Sequence, residues 1–463
     1  MTSRSSAASS SVSRSELRQL VRLQLQALLE QENLSGAKAL LVPVLPVDIA
    51  EVITELPEDM QALAFRLLSK DEAIEVFEYL DSNTQQALLG EFKRQEFLNV
   101  VDQMSPDDRA RLFDELPAKV VRRLLEQLSP EERAATALLL GYKPDTAGRI
   151  MTPEYVALRE NATVAEALEQ LRRSAHDRET IYYLYIIDDQ RHLRGVLSLR
   201  DLVVAQPDQL IHNIMSREVI SVHTDTDQEE VAQIIQRYDL LAVPVVDHEE
   251  RLVGIVTVDD VLDVVQQETT EDIYTLGGLE SGDDNYFQMN LFTVARKRVV
   301  WLLVLLITNT GTSAVIQSQE DLLEQVVALA AFIPLLIDTG GNVGSQSSTV
   351  VIRGLTTDTV QLKKALGIVQ REALAGGLLG LMLGLIVTVW AVILQGNWGV
   401  AVSVGVSLFA ISLLASVAGS ALPFLFKAWK FDPALMSAPF ITTAVDVLGV
   451  LIYLYVARWI LGL

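Results

Sequence analysis

Two carboxylates stand where carboxylates are costly. Asp446 lies in the middle of MSAPFITTAVDVLGV, and Asp338 lies in IPLLIDTGGNVGSQS, each inside a long apolar stretch. A charge in hydrocarbon costs several kcal/mol, roughly, unless it faces a cavity, a partner or an ion. Neutral oxygens accompany the pair, from Asn342, Gln346, Thr442 and Thr443. Pro334, Gly340, Gly341 and Gly344 flank Asp338, so the sequence predicts an interrupted helix there. Broken backbone at membrane depth is tolerated mainly where it lines a water-filled path. Two plainer readings stay open: a structural hydrogen bond from either Asp to a neighbouring helix, and glycines that serve close helix packing.

A second group of residues recurs. MTPEYVALRENATVAEAL at 151–168 returns as MSREVISVHTDTDQEEVA at 215–232, an offset of 64, and GVLSLRDLV from Gly195 matches GIVTVDDVL from Gly254. Each copy reads strand, helix, apolar strand, Gly turn, strand and helix, and the two resemble tandem CBS motifs forming one Bateman module. In that resemblance, a hydroxyl and a carboxylate share a strand-to-helix turn, where the Asp can hold a ribose diol while the helix N-terminus faces phosphate. Ser198, Arg200 and Asp201 occupy that turn in the first copy, with Tyr183 on the preceding strand. Thr257, Asp259 and Asp260 occupy it in the second, where two adjacent carboxylates repel phosphate. At most one adenine nucleotide, ATP being the candidate, is expected per module; a purely structural CBS pair is the other reading.

Composition removes other chemistries. The 463 residues contain no Cys and five His, which excludes disulfides, thiolate metal sites and thiol catalysis and disfavours a His-built centre. No Gly-rich phosphate loop, catalytic triad or metal-hydrolase spacing is present, so the chain is not expected to be an enzyme. The net charge of −23 is divided sharply: residues 1–290 carry −25 and residues 291–463 carry +2. That balance gives no basic footprint for nucleic acid. The Ser-rich start has no apolar h-region, so no cleavable signal is expected.

The elements that must position these residues follow from periodicity. A span needs roughly 20 mostly apolar residues, and five segments qualify: 299–316, 326–351, 373–394, 400–426 and 433–457. Arg296, Lys297, Arg298, Arg353, Lys363, Lys364, Arg371, Lys427 and Lys430 all fall on one side of these spans, while QSQEDLLEQ and QGNWG carry no Lys or Arg. The positive-inside rule places the N-terminus in the cytosol and the C-terminus outside. Ahead of the CBS copies runs a repeat of 24 residues, headed by Leu56, Leu80, Met104 and Leu128, with Leu68, Phe92, Leu116 and Leu140 midway. Such units, short helices with Ser or Pro starts and acids in the first turns, stack into a superhelix. The fold class is therefore a multidomain membrane protein. A 1–15 tail precedes an all-α superhelical N domain (16–140), an α/β tandem CBS module (141–272), a connecting helix (273–298) and a five-helix transmembrane domain (299–463).

This order of parts resembles the MgtE family of magnesium channels and transporters from about residue 30 to 461. The strings that carry it are IPLLIDTGGNVGSQS with VVIRGL, DPALMSAPFITTAVDVLGVLIY, DTAGRIMTPEYVAL, TIYYLYIID and TVDDVLDVVQQETTEDI. The resemblance implies a homodimeric Mg²⁺ channel or transporter in the lipid bilayer of the bacterial cytoplasmic membrane, closed by cytosolic Mg²⁺. It implies Asp446 as the pore carboxylate, paired across a two-fold axis, and Asp432 as an acid near the inner mouth. Its sensing acids fall on Asp227, Glu229, Asp239, Asp260, Glu271 and Asp272, and in the helical domain on Glu75 and Asp107. Three positions depart from the pattern: Arg111, where a second acid is expected one turn after Asp107; Ala438 in place of a polar Asn; and Arg149 in place of a second Gly. Transport of another divalent ion such as Co²⁺ or Mn²⁺, and a membrane-anchored CBS nucleotide sensor, are the rival readings. The spans hold no His, Met or Cys cluster to favour a soft ion.

Overall fold

The computed structural model of the chain describes residues 14–31, 33–81, 84–85, 87–88, 100–116, 118–175, 178–279, 290–357, 359–431 and 438–463. They belong to two compact units, Met1–Val265 and Gln266–Leu463.

The first unit opens with short helices: α1 (Arg14–Glu30), α2 (Leu34–Leu41), α3 (Pro46–Thr54), α4 (Glu58–Phe65), α5 (Lys70–Glu78), α6 (Pro106–Glu115), α7 (Ala118–Leu125) and α8 (Pro130–Leu140). The heads of the 24-residue repeat, Leu56, Leu80, Met104 and Leu128, are all buried in one core, while Phe92 lies outside the described residues. Ser69, Ser105 and Ser129 stand at helix N-caps, and Pro106 and Pro130 begin the following helices, as the missing proline N–H allows.

The repeats are also linked by hydrogen bonds that hydropathy does not reveal. Gln61 Nε2 donates to the Leu56 carbonyl at 3.1 Å, Arg133 Nη2 donates to the Leu128 carbonyl at 3.0 Å, and Arg109 reaches the Met104 carbonyl from the equivalent position. Each long side chain satisfies the carbonyl of its buried repeat head, which would otherwise be costly. Acids of one repeat cap the next: the Ser105 N–H donates to Glu78 at 3.3 Å, and the Ser129 N–H donates to Asp102 at 2.7 Å.

A short helix α9 (Ala147–Ile150) leads into the CBS pair. The first copy comprises β1 (Ala157–Arg159), α10 (Val164–Ser174), β2 (Tyr183–Ile187), β3 (Leu193–Ser198) and α11 (Leu199–Val204). The second comprises β4 (Val222–His223), α12 (Gln228–Tyr238), β5 (Ala242–Val246), β6 (Leu252–Thr257) and α13 (Val258–Leu276). In each sheet the first pair is parallel and the second antiparallel. The expected Gly turn is not one. The turns are fastened by Asp188, which accepts the Gln190 and His192 N–H groups, and by Asp247, which accepts those of Glu249 and Arg251. Gly195 and Gly254 lie inside strands instead. A side chain on Gly195 would meet Met215 Sδ at 2.8 Å, and one on Gly254 would meet Met151 Sδ at 2.6 Å. Those methionines open the opposite copy, and the pairing is an exchange. Thr152 and Ile255 trade backbone hydrogen bonds at 2.8 and 2.9 Å, and Val196 and Ser216 trade two at 2.9 Å.

Helix α13 runs through the expected boundary at residue 272 and ends at Gly277 and Gly278, where a φ of +70° suits glycine. The next helix, α14 (Leu291–Ser318), is separate, so 273–298 is not one connecting helix; residues 280–289 lie outside the described set. The second unit continues with α15 (Glu320–Gln325), a 3₁₀ turn (Val327–Phe332), α16 (Ile333–Thr356), α17 (Ala365–Gln395), α18 (Trp398–Ala428) and α19 (Ala438–Leu461). Among the described residues, five helical stretches are long and apolar enough to cross a membrane. They outrun the expected spans at several ends because helix continues past the apolar window, as through Arg296–Arg298 and Arg353. The expected interruption of the second span falls beside Pro334, where the 3₁₀ turn gives way to the first turn of α16, and not at the glycines. From Ile333 to Thr356, α16 is one continuous helix, and its glycines are buried contacts. A side chain on Gly340 would strike Ile411, and one on Gly341 would meet Thr442 Cγ2 at 2.7 Å. Close approach of helices is what small residues supply in a bilayer.

Candidate functional site

One face of α16 is apolar and small, with Leu336, Gly340, Gly341, Val343, Gly344 and Ser347 buried against α18 and α19. The other face is polar and open. Asp338, Asn342 and Gln346 recur every four residues, all exposed in the single chain, and Thr349 continues the row. Asn342 Nδ2 lies 3.4 Å from Asp338 Oδ2. Helix α19 brings its own oxygens alongside: Thr442 Oγ1 and Ser345 Oγ are 3.2 Å apart, and half-buried Asp446, one turn further on, lies within the field of Asp338. Thr443 is turned inward, its hydroxyl donating to the Pro439 carbonyl at 2.9 Å. A stripe of carboxylate, amide and hydroxyl oxygens at membrane depth can replace or bridge the water of a hard cation. Asp432 lies outside the described residues, and of Ala438 only the backbone, the start of α19, is described.

The first unit holds a seam of acids between the helical repeats and the CBS pair. Asp107, in the first turn of α6, is buried, and its Oδ1 has no hydrogen-bond partner. Burial, then the Asp108 and Glu179 carboxylates, push Asp107 up to about 8. Asp260 is raised by burial and then by Asp107, although the Thr257 hydroxyl donates to it at 2.5 Å. Glu179 keeps an exposed surface, yet the chain around it and the Asp260 and Asp259 carboxylates push it up to about 7. On the helical side Glu78 is pushed up to about 7 by burial, then by Asp108 and, less, by exposed Glu75. Each raised value records one conflict: like charges brought together in partial desolvation. A cation between them removes it. Among the described residues no three acid or His side chains gather closely enough to hold a metal ion as they stand. Arg111 takes part of the seam's charge, pairing with Asp108 and, at 2.9 Å, with Asp263.

Of the expected sensing acids, the structure thus brings Asp107 and Asp260 into each other's field, while Glu75 acts only on Glu78. Asp227 caps the start of α12 by accepting the Glu229 N–H at 2.9 Å, and Asp239 ends the same helix in the left-handed region. They therefore stand at opposite ends of an eleven-residue helix, about 18 Å apart. Glu229 follows Asp227 in the first turn, and Glu271 and Asp272 lie near the end of α13.

In the first CBS copy Tyr183 and Ser198 are cross-strand partners. Ser198 caps α11, accepting the Asp201 N–H at 3.1 Å and donating to the Asp201 carboxylate at 2.6 Å, and Arg200 is exposed beside them. The equivalent positions in the second copy are Ala242, Thr257, Asp259 and Asp260, in the same register. An aromatic face, a cation and a solvent-open carboxylate are present at the first turn alone.

The family of divalent cation transporters called MgtE matches residues 333–456, the MgtE intracellular N domain matches 45–145, and CBS domains match 147–208 and 211–267. A magnesium transporter MgtE of Bacillus subtilis is 35% identical over 94% of this chain and 96% of its own length. The chain belongs to the MgtE family. Another member, magnesium transporter MgtE of Thermus thermophilus, is 48% identical over 71% of this chain and 73% of its own. The crystal structure of the cytosolic domain of the Mg²⁺ channel MgtE in complex with ATP is 43% identical. It covers 52% of this chain and 99% of that one, with a TM-score of 0.50. As an MgtE member with transporter relatives, the chain is a multi-pass membrane protein and not an enzyme, in agreement with the sequence.

Sequence reading missed Glu78, Asp108 and Glu179. The 24-residue spacing that aligns Glu78 with Asp102 was a usable signal for the first, and SPDD for the second. Glu179 sits in a loop ahead of β2 with no motif of its own.

Proposed function

We propose that this MgtE member carries Mg²⁺ across the cytoplasmic membrane along the polar faces of α16 and α19, with Asp446 as the carboxylate that holds the ion. The observation that carries this reading is the oxygen row of Asp338, Asn342 and Gln346, open in one chain and flanked by Thr442 and Asp446. Such a row needs water, an ion or a second copy against it. A homodimer with its axis along this face supplies the second copy, and two Asp446 carboxylates then share one divalent ion. The relatives named as magnesium transporters support the choice of ion; oxygen-only groups support a hard one. The N-terminus is assigned to the cytosol by the basic residues at alternate helix ends.

Cytosolic Mg²⁺ closes the path by occupying the carboxylate seam. Asp107, with a buried oxygen lacking a partner, fits a cation, and Asp260 and Asp108 supply its neighbours. At low Mg²⁺ these acids repel, and at high Mg²⁺ they are held together, which biases a two-state arrangement. ATP is assigned to the first CBS copy. The residues fit it: Tyr183 offers a ring for the base, Asp201 a carboxylate for the ribose and Arg200 a cation for phosphate. The ATP complex of a related cytosolic domain supports this assignment.

The test is Mg²⁺ flux into proteoliposomes for the parent and Asp446→Ala at low and high internal Mg²⁺, with Co²⁺ and Mn²⁺ as competitors. Expected is flux that falls at high internal Mg²⁺ and drops by an order of magnitude or more, about 1.4 kcal/mol or above, in the variant. Undiminished flux in Asp446→Ala would move the path elsewhere, and preference for Co²⁺ or Mn²⁺ would change the ion.

A further inference from the structure

Helix α6 carries Asp107, Asp108 and Asp114, and arginines from two directions hold it. Arg149 comes from α9, whose backbone is fastened to the second CBS copy: the Ala147 N–H donates to the Thr226 carbonyl at 2.7 Å, and the Gly148 N–H donates to the Thr224 carbonyl at 2.9 Å. From that footing Arg149 Nε donates to Asp114 Oδ2 at 2.8 Å and Nη2 grips Oδ1. Its Nη1 donates to the Leu139 and Tyr142 carbonyls at 3.0 and 3.2 Å. The Arg149 side chain is 11% exposed and that of Asp114 37%, so this is a forked, charge-assisted contact with the arginine largely buried and the carboxylate open on one side. Arg111 lies one turn along α6 from Asp107 and joins Asp108 of its own helix to Asp263 on α13. Its side chain is 52% exposed. Its pairwise bonds are therefore worth little, and its effect comes from a fixed positive charge beside the crowded carboxylates.

We infer that Arg111 and Arg149 are built-in cations that hold the helical domain against the CBS pair, so that part of the closed arrangement persists without any divalent ion. This rests on the reading of the seam as a Mg²⁺-closed gate. A guanidinium cannot leave, whereas Mg²⁺ can. The arginines set a floor under closure, and the ion acts above that floor. The consequence is a lower Mg²⁺ requirement than the bare acids would impose, since each fixed charge offsets repulsion that a bound ion would otherwise have to offset.

The chain has no Cys, so a labelled pair needs no background removal. Spin labels at Lys119→Cys and Asp208→Cys, both exposed, report the helical-domain to CBS distance in the full-length protein in nanodiscs. Parent, Arg111→Ala, Arg111→Lys and Arg111→Ala with Arg149→Ala are compared in EDTA and through a Mg²⁺ titration. Expected is a compact population in parent EDTA samples that shrinks in Arg111→Ala and most in the double variant. The Mg²⁺ midpoint should rise by about fivefold or more, with Arg111→Lys between. Added KCl should open the parent in EDTA more than the double variant. Identical EDTA distances and midpoints in parent and both alanine variants would overturn the inference while leaving the gate. Opening by the variants with no Mg²⁺ response in any protein would sustain the bridges and remove the gate. No change from either would remove both.

Discussion

In the first CBS copy, Ser198 and Asp201 close a strand-to-helix turn that faces solvent, with Tyr183 across the strand and Arg200 beside it. In the second copy, Thr257 and Asp260 close the same turn through the same hydroxyl-to-carboxylate bond, but Ala242 stands across the strand and Asp259 replaces the arginine. That turn is drawn into the field of Asp107, Asp108 and Glu179. The backbone is shared and the use is not. An aromatic ring and a cation turn the motif toward an anionic ligand; two acids against the acids of another domain turn it toward a cation.

The sharpest way to break this comparison is to exchange the losses. Asp260→Asn should weaken Mg²⁺ binding to the full-length protein by about tenfold, close to 1.4 kcal/mol, and leave ATP affinity unchanged. Asp201→Ala should do the reverse, and calorimetric titration of each variant with both ligands decides it. If both substitutions weaken both ligands, the two turns are one site and the distinction falls.

A smaller effect probes the shared construction. Gly195→Ala and Gly254→Ala each drive a methyl group toward a methionine and a carbonyl of the opposite copy, at 2.6–2.9 Å. Overpacking of this kind costs about 1–3 kcal/mol. Both should lower the thermal midpoint by several degrees and by similar amounts, at about 2–4 °C per kcal/mol for a unit of this size. Unequal losses would mean that the copies are not built alike.

The smallest effect sharpens the electrostatic half. Glu78, pushed up to about 7 by burial and then Asp108, holds its proton more tightly folded than unfolded. Its contribution is therefore present at low pH and lost as pH rises through about 7. In EDTA the parent should melt lower at pH 8 than at pH 6. Glu78→Gln, which keeps an acceptor for the Ser105 N–H, should recover about 1 kcal/mol at pH 8, progressively less as pH falls, and nothing below about 4.5. A variant that tracks the parent at every pH would remove Glu78 from the seam.

The repeats made the fold readable. Leu56, Leu80, Met104 and Leu128 at one spacing predict stacked short helices, and the paired CBS strings predict two similar sheets. Apolar length predicts the crossing helices. What hydropathy does not carry is direction and partnership. The glycines of α16 read as a break because composition cannot tell a bend from a close contact; Ile411 and Thr442, some 70 and 100 residues away, decide that. Glu179 matters through Asp260 and Asp259, neighbours remote in the chain, so its own sequence context gives it no mark. Gly195 read as a turn because the residue that excludes its side chain, Met215, belongs to the other copy.

That exchange has a consequence for how the chain is made. Thr152 hydrogen-bonds Ile255, and translation delivers the second residue about 5–20 s after the first at typical rates of 5–20 residues per second. Through that interval the opening segment around Thr152 lacks its bridge to Ile255, although β1 can already pair with β2, so the first copy is left incomplete at its start. The helical domain, whose repeats bond to near neighbours, can be finished meanwhile. The first unit closes only as the sequence of α14 begins to follow, so the last strand of the CBS pair completes it just before the first long apolar helix is made.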